Sequence, residues 1–190
     1  MPEQGDIQGG ARRALAGRNL VLVGFMGTGK TAVGRKLAQL LDWPFVDTDE
    51  AIERQVKMAV PTIFARQGEA AFRDIEQVVL AQLAEQTGQV IATGGGALGR
   101  VANRERLRAS GLLVALTARP AVILERVGGA KAAQRRPMLA GPDPRAAIER
   151  LLREREPVYG AADLTVDSSD LPPQAVAQRI LWLIARASPN

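Results

Sequence analysis

Residues 24–31, Gly-Phe-Met-Gly-Thr-Gly-Lys-Thr, match the pattern G-x-x-x-x-G-K-[ST] of a phosphate-binding P-loop. An apolar run at residues 20–23 precedes this motif, and an amphipathic stretch that ends near Leu41 follows it. Glycines let the backbone curl so that successive N–H groups point at phosphate oxygens, and the following helix adds its positive dipole end. The alternative is a glycine-rich turn that binds nothing, but the flanking strand and helix patterns favour a nucleotide site.

The P-loop motif also assigns individual roles. Lys30 is expected to reach the β- and γ-phosphates, and the Thr31 hydroxyl is expected to bind Mg²⁺. The residues expected to contact ATP here are Gly27, Thr28, Gly29, Lys30, Thr31 and Ala32.

The composition indicates a globular protein and excludes several kinds of catalytic site. The chain has 190 residues, of which 46% are hydrophobic and 24% are charged. It contains no Cys and no His, which excludes disulfides, thiol nucleophiles, Cys/His zinc sites and every Ser-His arrangement. Any general base must therefore be Asp, Glu, Lys or Tyr.

The distribution of apolar residues predicts one domain in the cytoplasm. The longest apolar runs, such as residues 112–116, are too short to span a bilayer, which needs about 20 residues. Residues 1–17 lack the apolar segment of a secretory signal and are predicted to form a flexible tail. Residues 18–187 are predicted to form a single domain.

The formal net charge of +5 fits either a nucleic-acid-binding protein or an enzyme for anionic substrates. Aromatic residues make up only 4% of the chain, and none forms a stacking platform among basic residues. We therefore expect no nucleic-acid partner and no membrane partner.

Short apolar runs alternate with helical periodicity, which predicts an α/β fold with three layers and a central parallel sheet of five strands. The predicted strands are 20–23, 44–46, 89–93, 112–116 and 164–166. The predicted helices are 30–41, 50–57, 61–66, 69–86, 102–109, 121–127, 144–155 and 173–187. Ligands of such a sheet bind at the carboxyl ends of its strands.

Two carboxylates, Asp47 and Asp49, follow the second predicted strand. Residues two apart in an extended segment share a side, so both carboxylates are expected beside the P-loop, one near the metal and one near the acceptor. The alternative is that Asp47 or Thr48 caps the next helix, which is compatible with the chemical role.

The connection at about residues 48–85 is long enough to form a substrate-binding insert. Within it, Arg73 and Glu76 are three residues apart on a helix, so Glu76 is expected to orient the Arg73 guanidinium, although a surface ion pair is the alternative. The third strand runs into residues 94–96, three glycines that let a ligand approach backbone N–H groups, unless they form only a flexible turn.

A basic segment at about residues 127–141 is flanked by glycines and contains Arg135 and Arg136. It is predicted to be a mobile lid that brings an arginine onto the charge developed during phosphoryl transfer. A solvated basic loop is the alternative.

Taken together, these motifs resemble those of the shikimate kinase family, from about residue 20 to residue 184. The segments that carry the resemblance are GFMGTGKT at 24–31, DTD at 47–49, IF..QGEAAFR ending at Arg73, IATGGG ending at Gly96, RRPML at 135–139 and REPVY ending at Tyr159. The resemblance implies ATP-dependent phosphorylation of the 3-hydroxyl of shikimate, in the pathway to aromatic amino acids, by a monomer related in fold to nucleoside monophosphate kinases.

The resemblance also implies roles for individual residues. Asp49 would contact the acceptor hydroxyls and serve as the base, and Asp47 would hold Mg²⁺ with Thr31. Arg136, which directly precedes Pro137, would be the lid arginine. The remaining expected contacts to shikimate are Arg73, Arg155, Gly94, Gly95, Gly96, Phe64 and Phe72, and those to adenine are Arg126 and the loop from Asp167 to Pro173.

Three alternatives stay open at this level. A gluconate-type kinase would share the P-loop and lid, but the DTD, FR and GGG segments favour shikimate. A sensing module that binds ATP or shikimate without turnover would not need Lys30, Asp49 and the lid arginine, which are all present. A nucleic-acid-binding P-loop protein would use the arginines of the first eighteen residues.

Overall fold

The computed structural model describes residues 4–133, 137–139 and 141–187. The strands are β1 Asn19–Val23, β2 Phe45–Asp47, β3 Val90–Ala92, β4 Gly111–Thr117 and β5 Leu164–Asp167. The helices are α1 Gln4–Leu15, α2 Lys30–Leu41, α3 Thr48–Val56, α4 Val60–Ala84, α5 Val101–Ser110, α6 Pro120–Arg126, α7 Gly129–Ala133, α8 Pro144–Tyr159 and α9 Pro173–Ala187, with 3₁₀ turns at Ala97–Gly99 and Pro137–Leu139.

The five strands form one parallel sheet in the order β2-β3-β1-β4-β5, which confirms the predicted fold class. Strand β1 is central, and its residue Val21 aligns with Ile91 of β3 and Leu113 of β4. All five residues of β1 are buried, as expected for a parallel strand covered on both faces. The P-loop that follows β1 therefore lies at the middle of the carboxyl edge of the sheet.

Alternate residues of the strands pack into two separate hydrophobic cores, one on each face of the sheet. Val21, Val23 and Ile91 pack beneath α3, α4, α5, α6 and α8. Leu20 and Leu22 pack on the opposite face, beneath α1, α2 and α9. The period of two along β1 thus places the sheet between two helical layers.

The prediction of a flexible tail over residues 1–17 is wrong for residues 4–15, which form helix α1. Ala11 and Leu15 are buried in the core beneath α2 and α9, and Ile7 packs against the same core. These three positions are spaced by four residues, which places them on one face of a helix. Three glycines within α1 obscure this pattern, yet Gly10 suits the packing, because a Cβ there would lie only 3.1 Å from Ala185 Cβ.

Two other boundaries differ from the sequence prediction. The helices predicted at 61–66 and 69–86 form one element, α4, which is kinked at Gly68 with φ of 82°. Helix α8 continues past Arg155, through Pro157, to Tyr159. Tyr159 is buried and its hydroxyl is hydrogen-bonded, which favours the additional turn. Among the residues that the structure describes, no helix is long and apolar enough to cross a membrane.

Candidate active site

A cavity of about 360 Å³ lies between the P-loop and the carboxyl ends of β2 and β3. Lys30 lies at the beginning of α2 and its Nζ donates to Gly24 O at 2.8 Å and to Phe25 O at 3.0 Å. The residues that line the cavity are Met26, Gly27, Gly29, Lys30, Thr31, Ala32, Asp47, Asp49, Thr93, Gly94, Gly95 and Arg126.

The DTD segment forms the junction of β2 with α3, and the side chains of Asp47 and Thr48 have different hydrogen-bond partners. Asp47 caps α3, with Oδ1 accepting from Asp49 N at 3.0 Å, while its Oδ2 accepts from Thr31 Oγ1 at 2.9 Å. The buried Thr48 hydroxyl accepts from Gly94 N at 2.9 Å. Capping and the placement of both carboxylates in the cavity therefore occur together.

The cavity brings carboxylates and an ammonium group close together. Burial and the neighbouring charges shift the pKa values of Asp49 and Lys30. Burial among protein atoms, followed by the negative charges of Asp47 and Glu76, raises the pKa of Asp49 to about 6, although its side chain still opens to the solvent of the cleft. Burial lowers the pKa of Lys30 to about 8, against the opposing effect of Asp49 and Asp47. Both groups are therefore able to change protonation state near neutral pH.

A second cavity of about 220 Å³ shares Gly95 with the first. Its charged lining residues are Glu69, Arg73 and Arg155, and Tyr159 lies beside them. The structure thus brings together the two arginines that the sequence analysis assigned to the substrate carboxylate, although α4 and α8 supply them separately.

Glu76 holds the Arg73 guanidinium in place. Arg73 Nη1 donates to Glu76 Oε2 at 2.8 Å, and Nη2 donates to Glu69 Oε1 at 3.1 Å. The Glu76 side chain is only 1% exposed and that of Arg73 is 17% exposed, so this is not the surface ion pair considered above. Burial raises the pKa of Glu76, and the hydrogen bond from Arg73 opposes that rise.

The three glycines at 94–96 pack directly against these charged side chains. A Cβ at Gly94 would lie 2.9 Å from Asp49 Oδ1 and 3.1 Å from Glu76 Oε1. A Cβ at Gly96 would lie 2.8 Å from Arg73 Cζ. Side chains at either position would displace the groups that the site needs, so the turn is more than a flexible connection.

Arg155 and Tyr159 both bind the carbonyl of Gly95, Arg155 through Nη1 at 2.8 Å and Tyr159 through its hydroxyl at 2.7 Å. The Arg155 guanidinium also lies 5.3 Å from the centre of the Phe25 ring. These contacts fix Arg155 from the backbone side and from the ring side, between the P-loop and the glycine turn.

Of the remaining predicted site residues, some line a cavity and others do not. Phe64 and Phe72 pack on each other with ring centres 4.6 Å apart, and they belong to the core beneath Arg73 rather than to the lining of either cavity. Arg126 lines the first cavity, whereas Pro173 begins α9 and is outside its lining. Arg135 and Arg136 lie outside the described residues, so the assignment of Arg136 stays a prediction.

The sequence analysis singled out neither of two hydroxyl residues that have specific contacts, although Ser168 lies in the loop that the resemblance placed beside adenine. Thr48 fixes Gly94, as described above. Ser168 follows β5, and its hydroxyl accepts from Arg126 Nη1 at 3.0 Å. A polar residue at the end of an apolar strand is the signal that could have drawn attention to Ser168.

Comparison with known proteins identifies the family. A family model described as shikimate kinase matches residues 26–185. A shikimate kinase from Mesorhizobium japonicum is 43% identical over 172 residues, which cover 90% of this chain and 83% of that protein. The chain belongs to the shikimate kinase family.

Solved structures agree with this membership. A shikimate kinase from Acinetobacter baumannii in complex with shikimate superposes with a TM-score of 0.86 at 38% identity, covering 95% of this chain and 99% of that one. A gluconokinase from Sinorhizobium meliloti 1021 is 22% identical with a TM-score of 0.55, covering 90% of this chain and 93% of that one. The second likeness shows a shared fold alone, so it gives no support to a gluconate-type kinase.

Proposed function

We propose that this protein transfers the γ-phosphoryl group of ATP to the 3-hydroxyl of shikimate, giving 3-phosphoshikimate and ADP in the biosynthesis of aromatic amino acids. Membership in the shikimate kinase family supports this reaction. The observation that carries it is the arrangement of two adjoining cavities: one joins the P-loop to Asp49, and the other contains Arg73 and Arg155. In this arrangement the P-loop would bind the phosphates of the donor, Asp49 would lie near the acceptor hydroxyl, and Arg73 and Arg155 would bind the acceptor carboxylate.

On the donor side, Lys30 and the loop amides hold the phosphates. Two of the three Nζ protons of Lys30 already bind carbonyls of the loop, which directs the third toward a phosphate oxygen. Phosphate binding favours the charged ammonium and counteracts the burial that lowers its pKa. Lys30 therefore neutralises charge on the transferred group in the transition state.

The residues at the beginning of α2 and at the end of β2 fit Mg²⁺. Thr31 Oγ1 and Asp47 Oδ2 are hard oxygen donors 2.9 Å apart, and the part of the chain that the structure describes contains no group of three or more acidic, His or Cys side chains that could hold a metal. Mg²⁺ is usually bound by one or two protein groups together with phosphate oxygens and waters. When bound, it neutralises charge on the phosphates.

On the acceptor side, Asp49 is the base that we assign. The carboxylate would accept the proton of the attacking hydroxyl as the bond to phosphorus forms. A pKa of about 6 keeps it ionised at neutral pH and makes it a better proton acceptor than an ordinary Asp. Arg73, oriented by Glu76, and Arg155 would hold the shikimate carboxylate by charge-assisted hydrogen bonds.

A coupled ADP-release assay with Mg-ATP tests this function. Shikimate, quinate, gluconate and nucleoside monophosphates would be compared at matched concentrations, and the phosphorylated position would be located by phosphorus NMR. We expect turnover with shikimate and phosphate on its 3-hydroxyl. Preference for another acceptor would overturn the roles of Arg73 and Arg155, and ATP binding without ADP release for any acceptor would favour a sensing module.

The monomeric state remains a proposal that rests on the resemblance, and the cytoplasmic location remains a proposal that rests on the sequence analysis. Size-exclusion chromatography with light scattering tests the first, because a dimer would elute with twice the chain mass of 20.3 kDa.

A further inference from the structure

The loop after β5 is connected to the P-loop through one buried side chain, Ser168, which is 2% exposed. Its Oγ lies 2.8 Å from Thr28 O in the P-loop and 3.1 Å from Thr117 O at the end of β4. It also accepts a hydrogen bond from Arg126 Nη1 at 3.0 Å. Three chain segments that are far apart in sequence therefore meet at this hydroxyl.

A hydroxyl has one proton and two acceptor lone pairs, so its bonds can be assigned. Thr117 O already accepts from the backbone N of Ser168 at 2.9 Å. The proton of Oγ is therefore directed to the nearer carbonyl, that of Thr28, and a lone pair receives Arg126. This assignment leaves the hydroxyl bonded to the P-loop on one side and to a guanidinium on the other.

Ser168 also binds Arg126 through its backbone. Arg126 Nη2 donates to Ser168 O at 2.7 Å, so the two ends of the guanidinium fork are held by the same residue. Arg126 is otherwise a solvent-exposed side chain with several rotatable bonds, and it lines the P-loop cavity. Holding it in one orientation before a ligand arrives reduces the entropy lost on binding.

The sheet order shows which part of a ligand meets Arg126. The P-loop follows the central strand β1, and the groups that follow β2 and β3, including Asp49 and Gly94, occupy one flank of the cavity. Arg126 and Ser168 lie on the other flank, after β4 and β5. With phosphates on the loop and the acceptor beside Asp49, as proposed above, the nucleoside would extend over the second flank, where the family resemblance also implies that adenine lies beside Arg126.

We propose that Ser168 is a positioning residue for the nucleoside end of ATP, acting through Arg126 and the P-loop carbonyl of Thr28. The inference rests on the proposed function only in taking the P-loop ligand to be a nucleotide. Loss of the Ser168 hydroxyl should weaken the binding of ligands that have a nucleoside and should leave the binding of ligands that consist of phosphates alone unchanged.

The test compares Ser168→Ala with Ser169→Ala in the full chain. Ser169 is the matched control, because its Oγ accepts from Arg119 N at 2.9 Å, and only its backbone carbonyl, which the substitution leaves in place, accepts from Arg126 Nη2 at 3.4 Å. Affinities for Mg-ATP and for Mg-tripolyphosphate, which lacks a nucleoside, would be measured by calorimetry. We expect Ser168→Ala to weaken ATP binding about 5- to 10-fold and to change tripolyphosphate binding less than 2-fold, whereas Ser169→Ala should change neither.

Two further variants separate positioning from general damage to the fold. Ser168→Thr keeps the hydroxyl and should restore most of the ATP affinity. In an Arg126→Ala background, Ser168→Ala should have less than half of its effect on ATP binding, because the pathway through the guanidinium is gone. In steady-state assays the KM for ATP should rise while the KM for shikimate stays constant.

Several results would overturn the inference. Equal losses for ATP and tripolyphosphate would make Ser168 a support of the P-loop alone, and unchanged ATP affinity would show that the hydroxyl has no positioning role. Because these are binding measurements, they decide the question even if shikimate proves not to be the acceptor. Failure of the wild-type protein to bind ATP would overturn both this inference and the proposed function.

Discussion

The two flanks of the P-loop cavity are built from different kinds of interaction. The flank after β2 and β3, the acceptor flank, contains buried charge: Asp49 with a raised pKa, and Glu76 bound to Arg73. The flank after β4 and β5, the nucleoside flank, is built from neutral carbonyls, Ser168 and an exposed Arg126. One flank concentrates carboxylates where they repel each other, while the other satisfies its arginine with backbone oxygens.

A detail of hydrogen bonding makes the contrast clearer. Glu76 Oε1 is buried and has no hydrogen-bond partner in the described part of the chain, and it faces the position of Gly94 beside Asp49. An unpaired buried carboxylate oxygen is costly. The acceptor flank thus holds unfavourable electrostatics beside the proposed base, whereas the hydrogen bonds of the nucleoside flank hold Arg126 in place. Substitutions on the first flank should therefore affect catalysis and acceptor binding, and those on the second should affect nucleotide affinity.

The largest effect is expected for Asp49→Asn. Asn cannot accept the proton of the attacking hydroxyl, so kcat should fall by about 10²- to 10⁴-fold. Affinity for Mg-ATP should stay within about 2-fold, because the nucleotide contacts lie on the loop and on the nucleoside flank. Steady-state kinetics and calorimetry measure the two quantities.

Asp74→Asn is the control for Asp49→Asn, because Asp74 pairs with Arg100 outside both cavities. Burial and like charges disfavour the ionised Asp49 in the folded state, so the Asn variant should be at least as stable as the wild type at pH 8. Unchanged turnover would contradict the role of Asp49. A lowered Tm would instead indicate damage to the fold.

The next effect is expected for Arg73→Ala, which removes one of the two arginines in the second cavity. Loss of a buried charged contact should weaken shikimate binding by roughly 2–5 kcal/mol. The effect on ATP affinity should be small, so this substitution on the acceptor flank would again affect the acceptor and not the nucleotide. Binding of shikimate by calorimetry measures the change.

Arg66→Ala on the same helix is the matched control for Arg73→Ala, because Arg66 is exposed and outside both cavities. Part of the loss will come from Glu76, whose carboxylate then loses its described partner, so Arg73→Ala combined with Glu76→Gln should recover some stability. Unaltered shikimate affinity in Arg73→Ala would place the carboxylate elsewhere.

The pH dependence of kcat/KM should report both perturbed groups of the cavity. The base must be ionised, and the pKa of Asp49 is raised from 3.8 to about 6, so activity should fall about tenfold per pH unit below 6. The pKa of Lys30 is lowered from 10.5 to about 8, so kcat/KM for ATP should fall above pH 8 as the ammonium loses its proton.

The fall in activity above pH 8 distinguishes the free protein from its complex with ATP. Bound phosphates favour the charged Lys30, so kcat at saturating ATP should persist to higher pH than kcat/KM. Proton uptake on ATP binding near pH 9, measured by calorimetry in buffers of different ionisation enthalpy, is the direct readout. A kcat/KM that stays level from pH 5 to pH 10 would contradict both assignments.

The comparison also explains which parts of the site the sequence predicts. The P-loop, the Asp pair and the glycine turn are contiguous segments whose chemistry is local, and strand order brings them to one edge of the sheet. The role of Ser168 depends on Thr28, 140 residues away, and that of Arg155 on Gly95, 60 residues away. No local pattern encodes such pairings, so the segments themselves were predictable, whereas the contacts that join Arg155 to Gly95 and Ser168 to Thr28 were not.

The fold shows the same limit. The strand and helix pattern from residue 19 onward predicts the parallel sheet, because short apolar runs that alternate with helical periodicity are local signals. Helix α1 was missed because its glycines lower helix propensity, and its stability comes from packing on α9. The assignment of Phe64 and Phe72 to the substrate rests on resemblance alone and stays a prediction, since Phe72 is buried in the core and Phe64 packs against that core.

The smallest effect is expected for the ion pair between Arg119 and Asp170 on the nucleoside flank. Arg119 Nη1 lies 2.7 Å from Asp170 Oδ2, but the two side chains are 55% and 71% exposed. Exposed pairs contribute about 1 kcal/mol or less, because water and salt screen them. In Arg119→Ala the backbone bond from residue 119 to Ser169 Oγ persists, so the loop stays attached to the end of β4.

Arg119→Ala and Asp170→Ala should therefore change the KM for ATP by less than about 2-fold and leave the KM for shikimate unaltered, as measured in the ADP-release assay. Ser168→Ala, two residues before Asp170 in the same loop, supplies the contrast. If Arg119→Ala weakened ATP binding as strongly as Ser168→Ala, the order of the whole loop would set nucleotide affinity. The distinction between a buried anchor and an exposed pair would then fail, because long-range charge on this flank would contribute as much as the hydrogen bonds of one hydroxyl.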